Sequence, residues 1–357
     1  MRRLRTIAAT AVATLVAGCA ASPPAPDVVE GAALDTFVVE TSATSVLGAD
    51  AVFVGSDLPD IGLSGLFPVR GPQECSVAVL QGGEDSFATR MAVLKQARHS
   101  IRIQALVFKG DEAGLRIAEV LKEKKAAGLD VRVIVDAFSN PWLQTQWMFF
   151  DLKQHGIEVE GYEALALQWL NEVPIPKAMP HVDPDQPDKR FHEKMWVIDG
   201  GTESAVAVTG GLNIGNAYFR TNPGDPDDFW RDQDVVLRGA IVDDLVTAFD
   251  RNFDYFVAVK RSRGIFNTNL YWDATRKVLD KTGKVPVTYQ TDPAIVANVT
   301  RLEAAAPALE FRGATCRFMQ NRPRLRESYI HQAYLKLIER AQAELLIANA
   351  YFVPTAS

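Results

Sequence analysis

The sequence is poor in cysteine, histidine and net positive charge, and its N-terminal apolar run falls short of bilayer-spanning length. Three cysteines in 357 residues, Cys19, Cys75 and Cys316, leave one possible disulfide once Cys19, just past the leader, is set aside. Five histidines confine imidazole chemistry to His99, His155, His181, His192 and His331. A formal charge of −6 gives no electrostatic footprint for DNA or RNA and argues against nucleic acid as a partner. The run from Ile7 to Ala17 is too short to cross a membrane. A composition of 47% hydrophobic and 23% charged residues excludes disorder as the default and allows one large or two medium domains.

What is present begins with Arg2, Arg3 and Arg5 ahead of that apolar run, the form of a secretory signal peptide over residues 1–18. Its end, Leu15-Val16-Ala17-Gly18-Cys19, resembles the bacterial lipobox, which implies a lipid on Cys19. Ala20 rather than an aspartate follows, which points to the outer membrane. Residues 19–30, rich in proline and small side chains, suit a tether. Removal of the leader takes away three arginines and no acid, so the charge moves from −6 to −9. An oxidising envelope compartment would permit a Cys75–Cys316 disulfide.

After an N-terminal segment over residues 31–74, strand-like runs alternate with helical patterns: 77–80, 87–98, 101–108, a helix ending at Gly128, and 131–138. A helix through residues 146–156 and a strand at 157–163 follow. This succession predicts an α/β fold with a mostly parallel sheet flanked by helices. An internal repeat accompanies it. At an offset of 244, Met91 falls on Leu335, Leu94 on Ile338, Ala97 on Ala341, Ile101 on Leu345, Ile103 on Ile347 and Phe108 on Phe352, so one helix–strand unit recurs. We therefore expect a first lobe at 75–315 and the incomplete start of a second at 316–357.

The chemistry concentrates in FHEKMWVIDG, residues 191–200. Strand alternation puts His192 and Lys194 on one side, where one phosphate could touch both. The chain turns through GGTES and returns as AVAVTGGLNIG, where Gly210 and Gly211 permit close approach and Asn213 offers an amide donor. Asp199, at odd spacing from His192 and Lys194, should face away and support structure. A nucleophilic histidine needs an acceptor for its second ring nitrogen, and Asp232 and Asp234 are both candidates.

His192-x-Lys194-x4-Asp199, followed by Gly210-Gly211-x-Asn213, resembles the HKD motif of the phospholipase D superfamily, and the chain is most similar to its cardiolipin synthase-like members. Ten residues separate Asp199 from Gly210 where six are common; the even difference preserves the facing pattern. The resemblance implies two lobes, each with one such motif, and a covalent phosphohistidine. The second histidine would come from a lobe in cis, near position 436 by the repeat offset, or from a homodimer. It also implies that Lys194 and Asn213 stabilise the phosphoryl oxygens, with no metal or other cofactor. The implied substrate is a phospholipid such as phosphatidylglycerol, reached from the lipid anchor. A phospholipase D, a nuclease-type phosphodiesterase and a non-catalytic binding module are the alternatives. His99, His155 and His331 lack a lysine at the required spacing and read as surface or packing residues, His181 sits in a proline-rich connection, and Trp142 reads as core.

Overall fold

The computed structural model describes residues 67–136, 139–162, 191–224, 229–262, 289–322 and 329–347. The signal peptide, Cys19, the tether, most of the N-terminal segment, His181 and Phe352 lie outside the described residues.

Eight strands form one sheet: β1 (Ser76–Leu80), β2 (Ser100–Ala105), β3 (Asp130–Asp136), β4 (Glu158–Tyr162), β5 (Met195–Ile198), β6 (Val206–Gly210), β7 (Asp234–Arg238) and β8 (Arg312–Gly313). Their spatial order is β4-β3-β2-β5-β6-β7-β1-β8. Helices α1 (Gly83–Gln96), α2 (Glu112–Ala126) and α3 (Leu143–Gln154) lie between the early strands. The short α4 (Asn216–Phe219), the long α5 (Ile241–Ser262), α6 (Pro293–Glu303) and α7 (Tyr329–Arg340) follow.

Strand direction follows the connections. The crossovers through α2 and α3 make β2, β3 and β4 parallel. A short hairpin joins β5 to β6 antiparallel, and the pairs β2–β5, β6–β7, β7–β1 and β1–β8 are antiparallel too. The α/β class is as expected, but the sheet is mixed instead of mostly parallel. Only connections long enough to carry a helix can return a strand in parallel, and the turn at residues 199–205 is too short for that.

Two cores cover the sheet's faces. On one, Ile101, Ile103, Trp196, Val208 and Val236 meet α1 through Phe87, Met91 and Leu94, α2 through Ile117 and Leu121, and α6 through Val299 and Leu302. On the other, Met195, Val197, Ala207 and Leu237 meet Leu245, Phe249, Phe253 and Phe256 of α5. Alternation along β5 feeds both: residues 195 and 197 face α5, and 196 and 198 face α1. Helix α2 has conventional ends, with Asp111 accepting from Gly114 N at 3.1 Å and Lys124 and Lys125 in its last turn.

Cys75 and Cys316 are disulfide-bonded across a sequence separation of 241 residues. Cys316 also exchanges two backbone hydrogen bonds of 2.8 Å with Arg70, so residues just past β8 are fastened to this sheet. Helix α7 differs. Leu335 and Ile338 are 40% and 47% exposed, whereas their repeat counterparts Met91 and Leu94 are fully buried. Among the described residues, no helix is long and apolar enough to cross a membrane.

Candidate active site

Strand β5 begins at Met195, opposite Gln104 near the end of β2, so His192 and Lys194 lie on the extended lead into it. Phe191 is buried against Tyr255 and Phe256 of α5, with ring centroids 5.8 Å and 5.2 Å away. With that side occupied, alternation turns His192 and Lys194 to the other. The two meet as expected: Lys194 Nζ is 3.3 Å from each ring nitrogen of His192 and donates to the His192 carbonyl oxygen at 2.8 Å. His192 keeps part of its ring open to solvent, and Lys194 is only 5% exposed. Thr209 Oγ1 donates to Lys194 O at 2.8 Å, tying this lead to β6.

Both basic groups are held less basic than usual. Burial, and next the charge of Lys194, lower the His192 imidazole from its ordinary value, favouring the neutral ring. Burial brings Lys194 down to about 8, against an opposing pull from Glu193, Asp232 and Asp234. The result is an uncharged imidazole with an available lone pair beside a protonated ammonium.

The other candidate residues separate by their partners. Asn213, flanked by buried Leu212 and Ile214, accepts from Val107 N at 3.0 Å through Oδ1. That bond fixes the amide, and Nδ2 has no hydrogen-bond partner among the described residues. Asp199, with a positive φ of 53°, accepts from the backbone N–H groups of Arg98, His99 and Ser100 at 2.7–3.1 Å. It clamps the turn between α1 and β2, at the far end of β5 from Lys194.

Asp232 and Asp234 differ sharply. Asp234 is fully buried, accepts from Arg90 Nη2 at 2.7 Å and from Ser86 Oγ, and lies 3.4 Å from Leu212 N. The Arg90 guanidinium carbon sits 4.6 Å from the centroid of the Trp196 ring. Asp232 is exposed, and among the described residues its one hydrogen bond is from its neighbour Gln233 N at 2.8 Å. Gly210 and Gly211 make room for these carboxylates: a Cβ on Gly210 would collide with Asp234, and one on Gly211 with Asp232. The close approach these glycines permit is therefore internal.

Arg90 and Ser86 escaped the sequence reading. Their signal was an arginine among Phe87, Met91 and Leu94 on the apolar side of α1, with a serine one turn before it; a buried cation there demands an anion. Trp142 corrects another expectation. It is 47% exposed, because it precedes the first turn of α3, where near-helical spacing no longer decides which side faces inward.

Residues 91–224 match the family described as "Cardiolipin synthase, PLD-like domain". That stretch is similar to a phospholipase D-like domain. Its similar curated relatives include a cardiolipin synthase of Geobacillus kaustophilus, 27% identical over 78% of this chain and 44% of that protein. The major cardiolipin synthase ClsA of Bacillus subtilis is 26% identical over 80% of this chain and 48% of its own length. The chain thus spans about half the length of these relatives. A solved phosphatidylserine synthase of Haemophilus influenzae aligns at 18% identity over 61% of this chain and 46% of that one, with a TM-score of 0.39.

Proposed function

We propose that this phospholipase D-like domain forms half of a phosphatidyltransferase of the cardiolipin synthase type, working through a phosphohistidine. The observation that carries the proposal is the Lys194 ammonium 3.3 Å from both ring nitrogens of a His192 whose imidazole is kept neutral. In the first step a ring nitrogen of His192 attacks phosphorus. An N–P bond forms, the O–P bond to glycerol breaks, and the leaving oxygen takes a proton from the second histidine. In the second step that histidine withdraws a proton from the incoming hydroxyl, whose oxygen displaces the imidazole. Lys194, and Asn213 through its available Nδ2, stabilise the phosphoryl oxygens.

Asp232 is the acceptor we assign to the imidazolium, because Asp234 is committed to Arg90 and Ser86. Asp199 acts through the turn it clamps. The second histidine belongs to a second lobe in cis or to another copy of the chain. The exposed positions of α7, whose counterparts in α1 are core, favour the lobe in cis. Lipidation at Cys19 would hold the enzyme at the periplasmic face of the outer membrane, beside its substrate.

The test is incubation of the purified chain, alone and joined to a second lobe, with phosphatidylglycerol vesicles. Cardiolipin that vanishes with His192→Asn supports transfer. Phosphatidic acid in its place would establish a phospholipase, and cleaved DNA with intact lipid a nuclease. Inertness of the joined protein would leave the non-catalytic reading.

A further inference from the structure

The segment bearing His192 and Lys194 has another side, and it is occupied by polar groups. The Glu193 carboxylate accepts from Gln104 Nε2 and from Gln320 Nε2, both at 3.1 Å. Gln104 in turn accepts from Asn252 Nδ2 at 2.9 Å. Asn252, Gln104 and Gln320 are all buried. Three chain segments, β2, the stretch past β8 and, through Gln104, α5, thus converge on the residue between the histidine and the lysine. Bonds from amides to an ionised carboxylate are of the stronger kind, and the half-buried Glu193 would lose stability without them.

Gln320 lies four residues beyond Cys316. Cys316 is held twice, by its disulfide to Cys75 and by its backbone pairing with Arg70. Arg70 is itself clamped to Asp244 of α5 by bonds of 2.9 Å and 2.7 Å. The path from disulfide to Glu193 is short, and each end of it is anchored to α5.

We propose that Glu193 and Gln320 are positioning residues for the His192–Lys194 pair, and that residues 316–320 form a strap, closed by the Cys75–Cys316 bond, that fixes the catalytic segment from behind. The role rests on the reading of His192 and Lys194 as the catalytic pair. It differs from fold support because Glu193 also acts on Lys194 by charge. The titratable groups facing Lys194 among the described residues are His192, Glu193, Asp232 and Asp234, and the strap holds Glu193.

The test uses the full chain with isotopically labelled histidine rings, the His192 signal being assigned by its loss in His192→Asn. At alkaline pH this signal reports the deprotonation of Lys194, expected near 8 in the oxidised protein. Glu193→Gln should move that inflection down by roughly half a pH unit or more, since it removes an attraction that raises Lys194. Gln320→Ala, and wild-type protein with the disulfide reduced, should shift it the same way by less, because Glu193 loses or loosens only one of its amide donors, keeps Gln104 and remains charged. In the active two-lobe protein the same changes should lower kcat about tenfold or more with little change in KM.

Inflections that stay at the wild-type position in Glu193→Gln and in folded, reduced wild-type protein would overturn the proposal. Reduction needs no substitution to fold, so it decides the matter if Gln320→Ala does not. The titration needs no turnover. An inactive chain with the shifts would count against the proposed function and leave the strap standing.

Discussion

A buried ammonium beside an imidazole puts catalysis and stability at odds in one residue. Lys194 comes down to about 8 from its ordinary 10.5, so the folded state carries a penalty for the charge at neutral pH. Between about 8 and 10.5 the folded protein has lost this proton while the unfolded chain keeps it, so stability rises with pH across that window. Activity runs the other way. Above about 8 the phosphoryl oxygens lose their cation, and kcat/KM should fall. The acid limb should lie below 6.5, the ordinary histidine value, because burial and Lys194 both favour the neutral ring. Lys194→Met should abolish activity and raise thermal stability at pH 7, on the order of 2–3 kcal/mol; pH–rate profiles and thermal melts check both halves.

The two aspartates give a matching contrast. Asp234→Asn leaves the buried Arg90 without its anion and should cost about 3–5 kcal/mol in chemical denaturation. Asp232→Asn should leave stability within about 0.5 kcal/mol and, if Asp232 is the acceptor proposed for His192, lower activity. The pairing of His192 with Lys194 was legible in the sequence because a two-residue spacing on extended backbone fixes the shared side. The choice between Asp232 and Asp234 was not, because both occupy one side of their strand and the deciding partner, Arg90, lies more than 140 residues away.

Helices α1 and α7 show how one pattern can meet two environments. The repeat positions match in sequence, yet Ile101 and Ile103 are fully buried while Leu345 and Ile347 are 45% and 41% exposed. Periodicity shows which side of an element wants burial; it cannot show whether another element covers it. In the 357-residue chain, Met91→Ala should therefore cost about 2–5 kcal/mol and Leu335→Ala less than about 0.5 kcal/mol, as denaturant titrations would show. The parallel trio β2–β3–β4 was legible from its helical crossovers. The antiparallel remainder was harder to read, since β1 and β7 are adjacent in space but more than 150 residues apart in the chain.

For the molecule as a whole, the central strands β2, β5 and β6 terminate together, so the lead into β5 and the chain past β6 bring an imidazole, an ammonium and an amide to one end of the sheet. With a net charge of −6, attraction for a phosphodiester has to come from local cations such as Lys194 and not from the molecule's overall field. The central claim is that His192 bonds covalently to phosphorus. It is tested most directly by acid-free quenching of the chain joined to a second lobe during turnover of phosphatidylglycerol, followed by mass analysis of the peptide spanning residues 191–199. A phosphatidyl adduct on His192 or on its second-lobe counterpart, absent when both are replaced by asparagine, is the predicted result. Turnover at full rate with neither histidine ever modified would contradict the account.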